Sequence, residues 1–391
     1  MRVTDNFFGK KREWSRLKDE ILATYLRPYL SKITRTGRPV LIVDCFAGKG
    51  EFDDGEPGSP LLICRAIHQA TSLRPDAAIK ALFIEKKYYL DLAKNVSPWT
   101  DCEVLPGAFE EHIRKLANEL KAGTNMLLFV DPYGIKSLDF SLFRYLLDMD
   151  LGPIELILNF NTFGFLREGC RLLSITGFDL EEDSDVYEDD PDSPNSVERM
   201  NAIASGAYWQ DILRKYRDGT IDMKTAEAQF ASAYLERVHR LFEHVVEIPV
   251  KFRRHHLPKY RLIHGTQSPD GLILMADKMS RVWRNFVERD RGGQEVLFEE
   301  IDYPDMVALE NYSLEADILS YTESWIGLKD LLVSLLSKYG ITYSSSRVTS
   351  SIKAMEQEGA LVIQRCPAKT PGGRITKSMD YRQYRITVKR A

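Results

Sequence analysis

The sequence predicts an α/β protein: an open, mostly parallel sheet with helices on its faces, followed by a small basic C-terminal domain. Three observations carry this. Short apolar runs at 41–43, 80–85, 125–130 and 154–160 have the continuity of strands buried on both faces. Two of these runs end in an acid followed by a glycine-containing turn, at Asp44 and Asp131. Finally, residues 325–391 carry twelve Lys/Arg against four Asp/Glu, although the whole chain has a net charge of −4. That excess of eight positive charges is local, an electrostatic footprint for a polyanion.

At 391 residues the chain exceeds one typical domain. The expected division is an α/β domain over 1–300, with an N-terminal helix at 10–33 and an insertion at 162–224. A linker and first helix region at 301–324 and a third segment at 325–391 follow. Apolar content of 44% and charge of 28% are ordinary for a soluble globular protein. Cys45, Cys64, Cys102, Cys170 and Cys366 are scattered and form no C-x-x-C pair. This argues against a zinc or iron–sulfur site and against a disulfide framework, and it suits a reducing cytosol. No signal peptide or membrane-spanning run is read, so the expectation is a cytoplasmic protein with no membrane partner and no metal.

In chain order, residues 10–33 read as a helix, with Trp14, Leu17, Ile21, Tyr25 and Tyr29 at helical period. Pro28 predicts a kink or break within it. After the first strand, residues 51–59 are acidic and glycine-rich, the composition of an exposed loop. Ser59-Pro60 reads as an N-cap followed by proline at the first helical position, with Leu61, Leu62 and Ala66 turned to the sheet. The second strand, 80–85, ends at Glu85, and the third, 103–105, runs into Pro106-Gly107-Ala108-Phe109. Beyond the strand at 154–160 the pattern loosens, and residues 181–192 hold eight acids in twelve positions, a solvated loop. Helices are read at 208–216 and 225–244, strands at 245–252 and 259–266, and a closing helix at 269–288. Its apolar face is Leu272, Met275, Met279, Val282 and Trp283. Arg253-Arg254-His255-His256 joins the two strands as a basic tip; no third ligand makes it a metal site.

The first run continues as Asp44-Cys45-Phe46-Ala47-Gly48-Lys49-Gly50. Glycines after a strand let the backbone turn tightly and approach a ligand that a Cβ would exclude. In open α/β sheets ligands lie outside the carboxyl ends of strands, which puts Asp44 at the lip of such a site. No glycine stands three residues beyond Gly50, and Glu85 lies well past the roughly 20 residues expected in a dinucleotide fingerprint. A tight strand-to-helix turn without any ligand reads from the same residues. The pattern D-x-F-A-G-x-G resembles motif I of class I S-adenosylmethionine-dependent methyltransferases. That resemblance implies S-adenosylmethionine as cofactor, held by Asp44, Phe46, Ala47, Gly48 and Gly50. Glu85 would take the ribose hydroxyls, and Gly107 and Ala108 would admit the adenine beside Phe109.

The second informative stretch is Asp131-Pro132-Tyr133-Gly134. An exocyclic amine on a heterocycle is a poor nucleophile because its lone pair is delocalised into the ring. A carboxylate and a proline-fixed carbonyl can both accept its N–H groups, and a tyrosine ring can stack on the base for about 1–3 kcal/mol. The bland reading is a turn in which Asp131 caps the next helix. DPYG resembles the D-P-P-Y of amino-methyltransferases and the D-P-F-G of tRNA guanine-N2 enzymes, which assigns Asp131, Pro132 and Tyr133 to catalysis.

At the C-terminus, helices at 328–339 and 346–359 precede two strands, 361–365 and 384–388, around a Gly/Lys/Arg-rich loop. Val348, Ile352 and Met355 are expected inside and Arg347, Thr349, Ser350 and Lys353 outside. The order resembles a winged helix-turn-helix, whose second helix enters a major groove; such domains also dock proteins. Arg347, Lys353, Lys369, Arg374 and Lys377 are the expected nucleic-acid contacts.

Taken in order, KKREWSRLKDEIL, VDCFAGKGEFDDGEPGSP, FVDPYGIK and YRLIHGTQSPDGLILM resemble the three-Cys-motif partner protein family over residues 7–288. The resemblance implies a class I methyltransferase-like (Rossmann-like) domain. It also implies a mobile-element or defence setting with a three-Cys-motif, radical-SAM-like partner. The expected activity is methyl transfer to an exocyclic amine of a DNA or RNA base. The alternative is a non-catalytic nucleic-acid-binding protein that positions substrate for that partner.

Overall fold

The apolar runs form the parallel part of one sheet. The structure, a computed structural model, describes residues 11, 13–132, 135, 139–176, 196–250, 257–290 and 313–391. The chain divides into two compact units, Met1–Gln267 and Ser268–Ala391.

In the first unit, β1 (Val40–Asp44), β2 (Ile79–Glu85), β3 (Cys102–Pro106), β4 (Asn125–Val130) and β5 (Ile154–Phe160) pair in parallel. Two further strands, β6 (His244–Val250) and β7 (Tyr260–Thr266), complete a seven-stranded sheet among the described residues. The order is β3-β2-β1-β4-β5-β7-β6, with β7 antiparallel to both neighbours. Every residue of β1, β4 and β5 is buried, which is why those segments read as continuous apolar runs.

Helices flank the sheet: α1 (Glu13–Ile33), α2 (Ser59–Leu73), α3 (Tyr89–Val96), α4 (Phe109–Glu119), α5 (Phe140–Leu147), α6 (Thr162–Leu172), α7 (Val197–Ala204), α8 (Tyr208–Arg217) and α9 (Met223–His239). This is a mixed α/β unit with a mostly parallel central sheet, compatible with a Rossmann-like fold. Its core includes a run of packed rings in which Phe165 stacks on Phe230 and Phe160 on Tyr234.

Several local expectations change. α1 continues through Pro28 as one helix rather than breaking there. Leu17, Ile21, Leu22, Tyr25, Leu26, Tyr29 and Leu30 are all buried, so packing on both sides of the proline offsets the lost hydrogen bond. The segment after β5 begins with a helix, α6, capped by the Asn161 side chain on the Gly164 N–H. Leu62 is half-buried, and Ile63 and Ile67 pack inside with Leu61 and Ala66. The acidic stretch 181–192 and the Arg253–His256 tip lie outside the described residues.

The second unit contains α10 (Pro269–Asp290), α11 (Leu314–Tyr321), β8 (Ile326–Gly327), α12 (Leu328–Tyr339), α13 (Ser345–Gln357), β9 (Leu361–Cys366) and β10 (Arg385–Arg390). β8, β10 and β9 form a three-stranded antiparallel sheet in that order. The helix read as closing the α/β domain thus falls within the second unit, as α10, and the division does not coincide with a boundary at 300. The reason lies in its partners. Asp270 on α10 accepts from Lys329 Nζ (2.7 Å) and the Tyr381 hydroxyl (3.0 Å). Asp277 accepts the Ser345 N–H and hydroxyl, both at 2.7 Å.

Candidate functional site

Three strand ends lie side by side because β1 pairs with β2 on one edge and β4 on the other. Asp44 faces Phe83 and Phe129 in register, two residues before Glu85 and Asp131 respectively. The acids picked from the sequence therefore converge at the carboxyl end of the sheet, where open α/β folds bind ligands.

Asp44 is fully buried. Its Oδ1 accepts the Phe46 N–H at 3.3 Å and its Oδ2 accepts the Ser59 hydroxyl at 2.6 Å. Burial pushes its carboxyl up to about 7, and the nearby Asp131 and Asp19 add to that, against the two hydrogen bonds. Ser59 is not the expected N-cap: α2 starts at Ser59 with Gly58 preceding it, and the hydroxyl turns to Asp44 instead.

The turn after β1 passes through Gly48 and Gly50 at φ +64° and +84°, a region that favours glycine. The Gly48 N–H donates to Glu85 Oε2 at 2.8 Å, and Glu85 Oε1 accepts from Lys87 and Tyr88 N–H at 2.7 and 3.1 Å. Gly107 N–H donates to the Glu85 carbonyl at 3.1 Å, and Ala108 N–H to Glu111 Oε2 at 3.3 Å. Ala47 N–H bonds the Ile84 carbonyl at 3.1 Å. Phe46, Ala47, Gly48, Gly50, Glu85, Gly107 and Ala108 are thus one constellation around the ends of β1 to β3. Phe109 is not part of its surface; it is buried in the core and packs on Phe46.

Asp131 follows β4 with its side chain 21% exposed. Pro132 is buried, and Tyr133 lies outside the described residues. Asp131 has partners that sequence reading missed. Lys18 Nζ, from α1, donates to Oδ1 at 2.8 Å and Oδ2 at 2.5 Å. Asn159 Nδ2, from β5, donates to Oδ1 at 2.8 Å. Lys18 also lies 5.5 Å from the centre of the Tyr260 ring.

α1 is anchored to the unit at two points, one near the start of β5 and one beside the glycine turn. Tyr25 donates to the buried Glu155 of β5. Asp19, next to Lys18, pairs with Lys11 at 2.7 Å, and burial raises its carboxyl above the usual range against that pairing. Lys11 Nζ donates in turn to the Pro57 carbonyl at 2.6 Å, and its N–H to Asp54 Oδ2 at 3.0 Å, which fastens the loop after the glycine turn. The only sequence signal for these contacts is the run of charges in KKREWSRLKDEIL, residues 10–22.

In the second unit Val348, Ile352 and Met355 are buried, Arg347, Ser350 and Lys353 exposed, and Thr349 half-buried. Lys369, Arg374 and Lys377 are exposed on the connection between β9 and β10. There Thr370 N–H bonds the Arg374 carbonyl at 2.8 Å and folds the chain into a tight tip.

No family model matches this chain, and no curated protein matches it. Among the described residues no helix is long and apolar enough to cross a membrane.

Proposed function

We propose that the chain is an S-adenosylmethionine-dependent methyltransferase that acts on an exocyclic amine of a nucleic-acid base. The observation that carries the reading is the convergence of Asp44, the Gly48–Glu85 link and Asp131 at three adjacent parallel strand ends. The sheet order, with its antiparallel β7, supports a class I methyltransferase-like architecture. The residues present fit the cofactor. A carboxylate offers about four lone-pair sites. Glu85 accepts three backbone N–H groups, which leaves room for a ribose hydroxyl. Gly48 and Gly50 supply the positive φ that this turn needs, and a Cβ on Gly50 would press on Leu92 Cδ1 at 3.1 Å.

Bound S-adenosylmethionine would supply a methyl group on a sulfonium: the C–S bond breaks, an N–C bond to the amine forms, and sulfur becomes a neutral thioether. The protein's part is to bind, orient and neutralise. Asp131 would accept an amine N–H, localise the lone pair and take up the proton that the amine sheds. Pro132 would add a carbonyl acceptor. The three helices α11 to α13 with the β8-β10-β9 sheet support a winged-helix reading of the second unit. Its exposed Arg347, Lys353, Lys369, Arg374 and Lys377 would hold the DNA or RNA backbone. The setting proposed is the cytoplasm, with a three-Cys-motif protein as partner.

The test is incorporation of labelled methyl into mixed DNA and RNA, with and without that partner, alongside binding of S-adenosylhomocysteine. Asp131→Asn should keep the product-bound melting shift and lose on the order of 10²–10³ in rate. Wild-type protein that transfers no methyl in any combination would instead be a non-catalytic nucleic-acid-binding partner.

A further inference from the structure

Asp131 Oδ1 accepts from both Lys18 Nζ and Asn159 Nδ2, while Oδ2 accepts from Lys18 Nζ alone. With about two lone-pair sites per carboxylate oxygen, Oδ1 is filled and Oδ2 keeps one open. An ammonium has three N–H groups, and the two oxygens of Asp131, both on one side of Lys18 Nζ, engage at most two of them. The third finds no hydrogen-bond acceptor among the described residues, with the Tyr260 ring centre 5.5 Å from Nζ. Asn159 is 1% exposed, and its Oδ1 has no partner among the described residues. Its orientation is set by chemistry: a carboxylate only accepts, so Nδ2 must face Asp131 and Oδ1 must be left over. A buried acceptor without a donor is costly, so Asn159 is kept in place by its bond to Asp131 rather than by its own oxygen.

One open acceptor, on Asp131 Oδ2, and one open donor, on Lys18, therefore stand together just beyond the end of β4. An amino group brings two N–H donors. In many amino heterocycles the ring nitrogen next to the amine is an acceptor. We propose that Lys18 is a specificity-determining residue that donates to this ring nitrogen while Asp131 Oδ2 accepts the amine. The inference rests on the methyl-transfer reading and deepens it: the substrate is a base whose amine adjoins an unprotonated ring nitrogen, as in adenine and cytosine. A purely structural Lys18, tying α1 to the sheet, would hold Asp131 in place but would not sense that nitrogen.

The experiment uses the full chain and oligonucleotides with one target base, adenine, cytosine or guanine. Each is paired with a deaza analogue in which the ring nitrogen beside the amine is replaced by C–H. The specificity ratio kcat/KM is read for wild type, Lys18→Met and Lys18→Arg. A hydrogen bond to a charged group corresponds to about 10- to 100-fold. Wild type should lose that much on the analogue of the base it methylates. Lys18→Met should lose about as much on the parent base and little more on the analogue, with Lys18→Arg between the two. Equal wild-type rates on parent and analogue, or methylation confined to guanine on its N1–H edge, would overturn the assignment while the methyltransferase stands. The wild-type comparison decides even where Lys18→Met fails to fold. Failure of wild type to methylate any oligonucleotide would remove the methyl-transfer reading and this inference together.

Discussion

The Gly48 backbone N–H donates to the Glu85 carboxylate at 2.8 Å, so the turn after β1 is tied to the end of β2. One side chain shapes two loops, because Lys87 and Tyr88 N–H groups close on the same carboxylate. Glu85→Ala leaves three backbone donors without that acceptor. The expected cost is about 2 kcal/mol, roughly 4–8 °C in melting temperature. S-adenosylhomocysteine should raise the wild-type melting temperature by mass action and the variant's much less. A full ligand shift in Glu85→Ala would separate the carboxylate from the cofactor site.

Asp44 makes stability depend on pH in an unusual direction for an acid. Its folded value of about 7 stands above the unfolded value near 3.8. Between these the folded protein holds a proton that the unfolded chain has released. Stability contributed below pH 3.8 is therefore lost as pH rises to about 7, by about 1.4 kcal/mol per pH unit. Asp44→Asn is neutral throughout and keeps a partner for the Ser59 hydroxyl and the Phe46 N–H. Thermal denaturation at pH 5 and pH 8 should show the variant gaining on wild type at the higher pH. A constant difference between the two would mean that Asp44 titrates normally.

Arg261 on β7 holds two acids, with Glu227 of α9 at 2.8 Å and Glu247 of β6 at 2.6 Å. Glu227 is buried and also accepts the Thr162 hydroxyl at 2.9 Å. Arg261→Ala strands that carboxylate, at a cost of about 3–5 kcal/mol. Replacing the fully buried pair, as Arg261→Met with Glu227→Leu, should recover part of the loss, since only the half-buried Glu247 then lacks its arginine. Urea midpoints of the single and double variants decide this; a double variant as unstable as the single one would show that the arginine's packing matters more than its charge.

The parts of this fold that show in the sequence are those whose signal is local. Parallel strands buried on both faces read as apolar runs, and an acid at a strand's end announces itself. Val348, Ile352 and Met355 follow from helical period alone. What stayed hidden depends on contacts between distant segments. Lys18 meets Asp131 across 113 residues, and on α1 it is one charge among several. Ser59 looks like a cap until β1 places Asp44 beside it. Cys64 and Cys102 are scattered in sequence, yet their sulfurs lie 3.1 Å apart. α6 escaped because glycines blur its period. One of them has a packing reason: a Cβ on Gly169 would meet Leu213 Cδ1 at 2.7 Å and Trp209 at 3.0 Å.

The basic residues of the second unit give the last test. Arg347 and Lys353 on α13, and Lys369, Arg374 and Lys377 on the β9–β10 connection, are exposed. Glutamine at all five should leave melting nearly unchanged, since such surface replacements fall within about 0.5 kcal/mol each. Binding to nucleic acid should weaken for every sequence alike, because phosphate contacts position rather than specify. Each lost contact lowers the slope of log K against log salt by about 0.9 on duplex and about 0.7 on single strands. If all five touch phosphate, the slope falls by roughly 4–5 on duplex and by roughly 3–4 on single strands. The size of the drop therefore reports which form these residues grip. An unchanged slope with intact affinity would place nucleic acid elsewhere on the chain and favour a protein-docking role for this surface.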